Sequence, residues 1–265
     1  MRRWRKKVKK YIDNFLRFKP LLEELVARDI KIKYRRSVLG VLWTILNPLC
    51  MMVILSIVFS NIFKFDVENF PLYILSGQVI FNFYNDATTN SMTSILGASS
   101  LIKKIYVPKY LFVLSRIVSS FINLMASFCA LLVMMVVTRA ELHWEVVLSI
   151  IPLTMVVGFS LGIGLILAAL TVKFRDIMHL YSVFTTGLMY LTPVIYPMSI
   201  LPETIKKIVM LNPLTNYLIM FRDVMFNDTL PSMSSITVGV VEMVIALVLG
   251  VWVFYKRQDE FILNL

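Results

Sequence analysis

The sequence predicts an all-α integral membrane protein with six transmembrane helices. Hydrophobic residues make up 58% of its 265 residues and the mean hydropathy is +0.77, whereas only 16% of the residues are charged. A soluble domain would carry roughly a quarter of charged residues. Apolar runs long enough to cross a bilayer recur along the chain, and Lys and Arg are concentrated in alternate connections between them, as is typical of multi-pass membrane proteins.

The first 36 residues predict a cytoplasmic basic arm and an interfacial helix. Residues 1–10, MRRWRKKVKK, contain seven Lys or Arg, which suits anionic lipid headgroups. Over residues 15–32 the apolar residues share one helical face; they are Leu22, Leu25, Val26 and Ile30. We expect this amphipathic helix to lie in the membrane interface. A solvated helix with one packed face would show the same pattern.

Residues 37–265 predict one six-span transmembrane domain. Its first apolar run, 37–63, has 27 residues without a charge. As a helix this run would be roughly 40 Å long, against a hydrocarbon core of about 30 Å. The first span is therefore placed at about 38–62. By the same reasoning the other spans are placed at about 70–97, 111–137, 146–172, 178–197 and 233–255.

The region 198–228 is too short and too polar for a seventh span, and it predicts two short re-entrant helices. One begins at Pro202. The other begins after Asn212, a plausible N-cap, with Pro213 at its first position. Residues 192–197, TPVIYP, precede this region and should end the fifth span, because proline interrupts a helix.

The distribution of basic residues predicts the topology. The segments assigned to the cytoplasm contain 22 of the 27 Lys and Arg, and the opposite side contains five, with Arg222 among them. This bias places both termini in the cytoplasm. The net charge of +11 has the same origin, so nucleic acid is not an expected partner.

Several polar residues fall inside the predicted spans. Carboxyl groups occur at Asp86 and at Glu242, which lies within an uncharged run. Such residues are expected to face protein or water rather than lipid. Gly158 and Gly162 form a G-x-x-x-G pattern that suits a close helix contact. The second span is unusually polar, with Gln78, Asn82, Asn85, Asp86, Thr88, Thr89 and Asn90.

The sequence offers no candidate catalytic or metal site. The two histidines, His143 and His179, have no Cys, Asp or Glu at metal-ligand spacing. Cys50 and Cys129 lie in apolar runs and are expected to serve as packing residues. No Walker A or hydrolase motif is present. Transport is therefore the expected function, with energy from a partner ATPase or from an ion gradient.

Five blocks of sequence carry a family resemblance. They are KYRRSVLGVLWTILNP (33–48), LIKKIYVPKYLFVLSR (101–116), VKFRDI (172–177), TPVIYP (192–197) and LNPLTNYLIMFRD (211–223). In this order they resemble permease subunits of ABC-type polysaccharide exporters, the family that exports O-antigens, teichoic acids and related glycans. The blocks cover nearly the whole chain, and the first and last are the most specific.

The resemblance implies a homodimer in the bacterial inner membrane, with two copies of an ABC ATPase subunit. ATP and Mg²⁺ would belong to that partner, and this chain would need no cofactor. It implies a cytoplasmic coupling helix before Pro108. We expect residues 92–105, a short, basic and amphipathic connection, to form this helix, with Leu101, Ile102, Lys103, Lys104 and Ile105 as its contact residues. The resemblance also implies a channel for a lipid-linked glycan, lined in part by aromatic rings. The candidate rings are Trp43, Phe81, Phe83, Tyr84, Tyr181, Phe184, Tyr190 and Tyr196.

Each of these rings could instead pack in the membrane interface. Other functions also stay open for the whole chain: an ABC exporter of another lipid or a drug, an ion-coupled carrier, or a component of a membrane glycosyltransferase. An ion-coupled carrier would use intramembrane carboxyls such as Asp86 or Glu242 and would show paired repeats, of which none is evident.

Overall fold

The computed structural model describes residues 2–35, 37–62, 69–141, 143–226 and 229–264, and this part of the chain is helical, with no strand. In chain order the α-helices are α1 (Arg2–Tyr34), α2 (Trp43–Ile62), α3 (Phe70–Gly97), α4 (Ser99–Ile102), α5 (Tyr110–Val137), α6 (Ile150–Thr171), α7 (Ile177–Leu191), α8 (Glu203–Met210), α9 (Pro213–Phe226), α10 (Met233–Arg257) and α11 (Phe261–Asn264).

Three segments are long and apolar enough to cross a membrane: Tyr110–Val137, Trp144–Thr171 and Met233–Asn264. Trp43–Phe59 and Ile177–Leu191 are shorter apolar helices. These features agree with the predicted membrane protein. Helix α3 has the same 28-residue length as α5 but is much more polar.

The helix boundaries follow local sequence signals. Thr192 is extended, as expected for a residue before proline, and α7 therefore ends at Leu191 rather than at the predicted 197. The Asn212 side chain accepts a hydrogen bond from the Leu214 amide at 3.1 Å, which confirms the predicted cap of α9. Helix α1 starts at Arg2, so the basic segment 2–10 is its first part.

Helices α6 and α10 form the closest helix pair. A Cβ atom on Gly162 would overlap the backbone of Ala246, and a Cβ on Gly250 would overlap the backbone of Gly162. A Cβ on Gly158 would lie 2.6 Å from the sulfur of Met243. The G-x-x-x-G pattern thus marks a true helix contact, because only glycine allows the two backbones to approach so closely.

Two clusters of buried side chains hold the bundle together. The larger lies between α3, α5, α6 and α9 and includes Leu75, Tyr84 and Phe221. The second lies at the end of the bundle where α1 packs, and includes Leu22 and Leu25. The predicted apolar face of α1 is therefore the face that it packs on the bundle, chiefly against α5.

Candidate functional site

Helix α3 presents a row of polar side chains at its surface. Asn82, Thr89 and Thr93 are exposed and Asp86 is half-exposed. Their spacing of four, three and four residues places them within about 60° around the helix axis. Asn90 is exposed beside them. We call these five residues the α3 polar face.

The two helices α2 and α7 also expose polar groups. Both α2 and α7 pack against α3. Helix α2 exposes Asn47, and α7 exposes Ser182 and Thr186. By contrast, the exposed side chains of α10 between Val238 and Trp252 are apolar, as suits contact with lipid. Exposed polar groups at membrane depth need a water-filled path or another protein surface.

Helix α7 is fixed to α3 by a small hydroxyl network. The Tyr181 hydroxyl donates to Thr88 Oγ1 at 2.7 Å and lies 3.2 Å from the hydroxyl of Tyr84. Thr88 in turn donates to the Tyr84 carbonyl. Because Thr88 is the immediate neighbour of Thr89, this network sets the distance between α7 and the α3 polar face.

At one end, the α3 polar face opens into a polar cavity of about 370 Å³ beneath the last turns of α1. Two ion pairs cross it. Arg116 of α5 lies 2.8 Å from the buried carboxylate of Asp29, and Lys33 lies 3.8 Å from Asp86. The other carboxylate oxygen of Asp29 is buried without a protein partner, so the cavity has hydrogen-bonding capacity left. These contacts tie α1 to α3 and α5.

At the opposite end, Arg222 of α9 clamps the TPVIYP segment onto α3. Its guanidinium donates to the carbonyls of Pro193 at 2.7 Å, Tyr73 at 2.9 Å and Val194 at 3.2 Å, and to the Ser76 hydroxyl at 3.1 Å. It also stacks 3.5 Å from the centre of the Tyr73 ring. The planar fork of arginine suits this divergent set of acceptors.

The clamp is reinforced by the tight approach of the TPVIYP segment to α3. A Cβ atom on Gly77 would lie 2.9 Å from the Cα of Val194, so this contact requires glycine. The Tyr73 hydroxyl donates to the Tyr196 carbonyl at 2.9 Å, and the Asn212 amide donates to Thr192 Oγ1 at 2.8 Å. The turn after α7 is therefore held by α3 and α9 together.

The structure divides the predicted channel rings into two groups. Four are buried within the bundle, where they pack against neighbouring helices: Phe81, Phe83, Tyr84 and Tyr181. The Tyr84 ring, for example, stacks on Phe159 at 5.9 Å. Three are exposed, namely Trp43, Phe184 and Tyr190, and Tyr196 is half-buried. Only the second group can meet a passing polymer without a rearrangement of the bundle.

The predicted coupling segment is also divided. It is not a single helix over 92–105, because α3 continues to Gly97 and the single-turn α4 follows. Ile102 is buried against the cluster below α1, and Leu101 is half-buried. Lys103, Lys104 and Ile105 are exposed. A partner protein could therefore reach the last three residues but not Ile102.

The second intramembrane carboxyl, Glu242 of α10, is half-buried and forms a hydrogen bond with the side chain of Asn216 in α9. Asn216 also donates to the Ser235 carbonyl at 3.2 Å. The carboxyl thus faces another helix. Asp86, in contrast, lies on the α3 polar face.

Several charged side chains are buried, which the sequence pattern did not predict. Arg222 was counted only among the basic residues of the non-cytoplasmic side, and the structure shows that it is buried, with 7% exposed. The position of this cation directly after the apolar run YLIMF could have indicated an internal partner. Asp29 and Arg116 were likewise not expected to pair. Among the described residues, no group of three or more His, Cys, Asp or Glu could hold a metal ion.

Comparison with known proteins places the chain in a family. The ABC-2 type transporter membrane family matches residues 20–226. An O-antigen export system permease protein, RfbA of Myxococcus xanthus, is 28% identical over 246 residues, covering 92% of this chain and 95% of the relative. RfbA of Klebsiella pneumoniae is 26% identical over 243 residues, covering 91% and 93%.

A more distant relative extends the comparison. The polysialic acid transport protein KpsM of Escherichia coli is 20% identical over 246 residues, covering 91% of this chain and 95% of the relative. The similarity therefore runs through the N-terminal helix, the bundle and the TPVIYP turn. Because the family match spans most of its length, the chain belongs to the ABC-2 type transporter family of membrane permeases.

Proposed function

We propose that this chain is the membrane subunit of an ABC exporter that moves a lipid-linked polysaccharide, or a related teichoic-acid-type polymer, out across the bacterial inner membrane. The α3 polar face is the observation that carries this proposal. It offers amide and hydroxyl groups to a hydroxyl-rich polymer at membrane depth. The relatives are named for export of O-antigen and transport of polysialic acid, which supports the same substrate class.

The proposed architecture has six spans with both termini in the cytoplasm. The five apolar segments and α3 would supply the crossings. Helices α8 and α9 have eight and 14 residues, which correspond to lengths of about 12 and 21 Å. Both are shorter than the hydrocarbon core of about 30 Å, which favours a re-entrant hairpin at the outer leaflet.

The proposed assembly is a homodimer with two copies of an ABC ATPase subunit. A second copy facing the exposed surfaces of α2, α3 and α7 would enclose the polar face in a channel rather than leave it in lipid. Trp43, Phe184 and Tyr190 could then offer stacking surfaces to the apolar faces of sugar rings. The ATPase would bind near Lys103, Lys104 and Ile105 and supply the energy.

Cysteine accessibility tests the proposed path. In a variant without Cys50 and Cys129, single cysteines at Asn82 and Thr89 should react with a membrane-impermeant thiol reagent in the assembled exporter. Cysteines at Val244 and Val248 are the matched controls, because these α10 residues are also exposed but lie on an apolar face. They should not react. Equal reactivity of both pairs, or none at Asn82 and Thr89, would refute the path along α3.

A further inference from the structure

The three helices around the proposed path carry almost no charge. Helices α2, α3 and α7 together contain a single Asp, Glu, Lys or Arg residue, which is Asp86. These helices also contain one histidine, His179, in the first turn of α7. The remaining polar groups on the exposed faces of these helices are amides and hydroxyls.

The cavity at the end of the path is also balanced in charge. Its lining includes two cations, Lys33 and Arg116, and each is paired with a carboxylate, Asp86 and Asp29 respectively. Arg28 lies 3.5 Å from Asp29 as well. Within this cavity the described residues therefore offer no cation that lacks a counter-charge.

The clamp at the opposite end gives no cation to the path either. Arg222 is buried, and its guanidinium already donates to three carbonyls and a hydroxyl. An anionic polymer would need a cation for each charged repeat unit that leaves water, because a charge in a poorly hydrated environment is costly unless it is paired. A neutral polymer needs only hydrogen-bond partners, which the α3 polar face provides.

We propose that the polymer carried by this permease is an uncharged glycan, built from neutral sugars, rather than a polyanion with a carboxylate or phosphate in each repeat unit. This inference rests on the proposed function and narrows its substrate class. It concerns the repeating chain, not the phosphate of the lipid carrier, which passes once per polymer. Asp86, the one charge on the path helices, is paired with Lys33, so this ion pair leaves no excess positive charge for an anion.

The test uses the full permease–ATPase complex in lipid vesicles, with ATP hydrolysis as the readout. Three probes share one polyprenyl diphosphate carrier and one chain length: a neutral hexose polymer, a sialic acid polymer and a glycerol phosphate polymer. We expect the neutral probe to stimulate hydrolysis at least about tenfold more than either anionic probe. A tenfold difference corresponds to about 1.4 kcal/mol, which is less than the cost of moving one unpaired charge out of water.

Variants of the α3 polar face sharpen the test. Asn82→Lys should raise the response to the anionic probes severalfold, and the uncharged control Asn82→Gln should not. Thr89→Lys repeats the test at a second exposed position. Correct assembly is checked by elution with the ATPase. If either variant fails to assemble, the wild-type comparison still decides.

The outcomes separate the inference from the function on which it rests. Equal stimulation by neutral and anionic probes, or a preference for an anionic one, would overturn the inference and leave the exporter function intact. Failure of all three probes to stimulate hydrolysis would count against the exporter function, and the inference would fall with it. A neutral preference that Asn82→Lys weakens would support both.

Discussion

Replacement of Arg222 should destabilise the protein more than replacement of any exposed arginine. Arg222→Leu would leave the carbonyls of Pro193 and Val194, which lie outside helices, without this donor and would remove the stacking on Tyr73. The Pro193 carbonyl keeps the Tyr73 hydroxyl as a donor at 3.5 Å, so the Val194 carbonyl is the acceptor left unsatisfied. One unsatisfied buried acceptor costs about 1–3 kcal/mol, and a desolvated cation–π contact is worth about 2 kcal/mol. Together they give a loss of about 3–5 kcal/mol.

This loss of stability can be measured by heating the protein in detergent and recording the temperature at which half of the monodisperse elution peak is lost. For a protein of this size 1 kcal/mol corresponds to about 2–4 °C, so the midpoint should fall by about 10 °C. The midpoint of Arg222→Lys should fall by about half as much, because lysine retains the charge but lacks the planar fork of the guanidinium. Arg175→Leu is the matched control: Arg175 is exposed, and its midpoint should change by at most about 2 °C.

The result that would refute this reasoning is a midpoint for Arg222→Leu equal to that of Arg175→Leu. The hydrogen bonds to the TPVIYP segment would then contribute nothing measurable to stability. If Arg222→Leu and Arg222→Lys lost the same amount, the fork geometry would be irrelevant and the charge alone would matter.

Three further predictions use the same assays. Gly162→Ala should lower the stability measured in the thermal assay by about 1–3 kcal/mol, because its Cβ would overlap the α10 backbone. Gly97→Ala is the control and should not destabilise the protein, because a Cβ there meets nothing within 4 Å. Equal midpoints for the two variants would contradict the close α6–α10 contact. Ile105→Asp should lower ATP-driven export about tenfold at unchanged stability, because an exposed Ile that docks on a partner contributes about 1.5–3 kcal/mol. Ile102→Asp should instead destabilise the permease itself, because Ile102 is buried. Normal export by Ile105→Asp would exclude this docking site. Glu242→Gln, which keeps the hydrogen bond to Asn216, should leave export nearly unchanged, whereas Glu242→Leu should impair assembly. Loss of export in a well-folded Glu242→Gln variant would indicate a proton-coupled role.

Much of the fold could be predicted because its signals are local. Apolar runs located the long helices, and Asn212 and Pro213 located the start of α9. Each of these features depends on residues within a few turns of one another. The G-x-x-x-G pattern was also informative, because its requirement for small residues holds whichever helix is the partner.

The buried charges could not be predicted because their partners are distant in the chain. Arg222 binds residues near Tyr73 and Val194, and Arg116 binds Asp29; no pattern within one helix identifies such pairs. The burial of Ile102 has a similar reason, since a single helical turn is too short to show which face packs. The predicted channel rings include buried and exposed ones for the same reason, because a sequence identifies an aromatic residue but not the direction in which its ring points.

The central claim is that this permease moves a lipid-linked glycan with energy from a partner ATPase. The most direct measurement is translocation of a fluorescent, lipid-linked neutral glycan in vesicles that contain the purified permease–ATPase complex. We predict that translocation requires ATP, stops when the ATPase is inactivated, and is unchanged by ionophores that abolish proton and sodium gradients. Translocation that continues without ATP and is abolished by an ionophore would contradict the account.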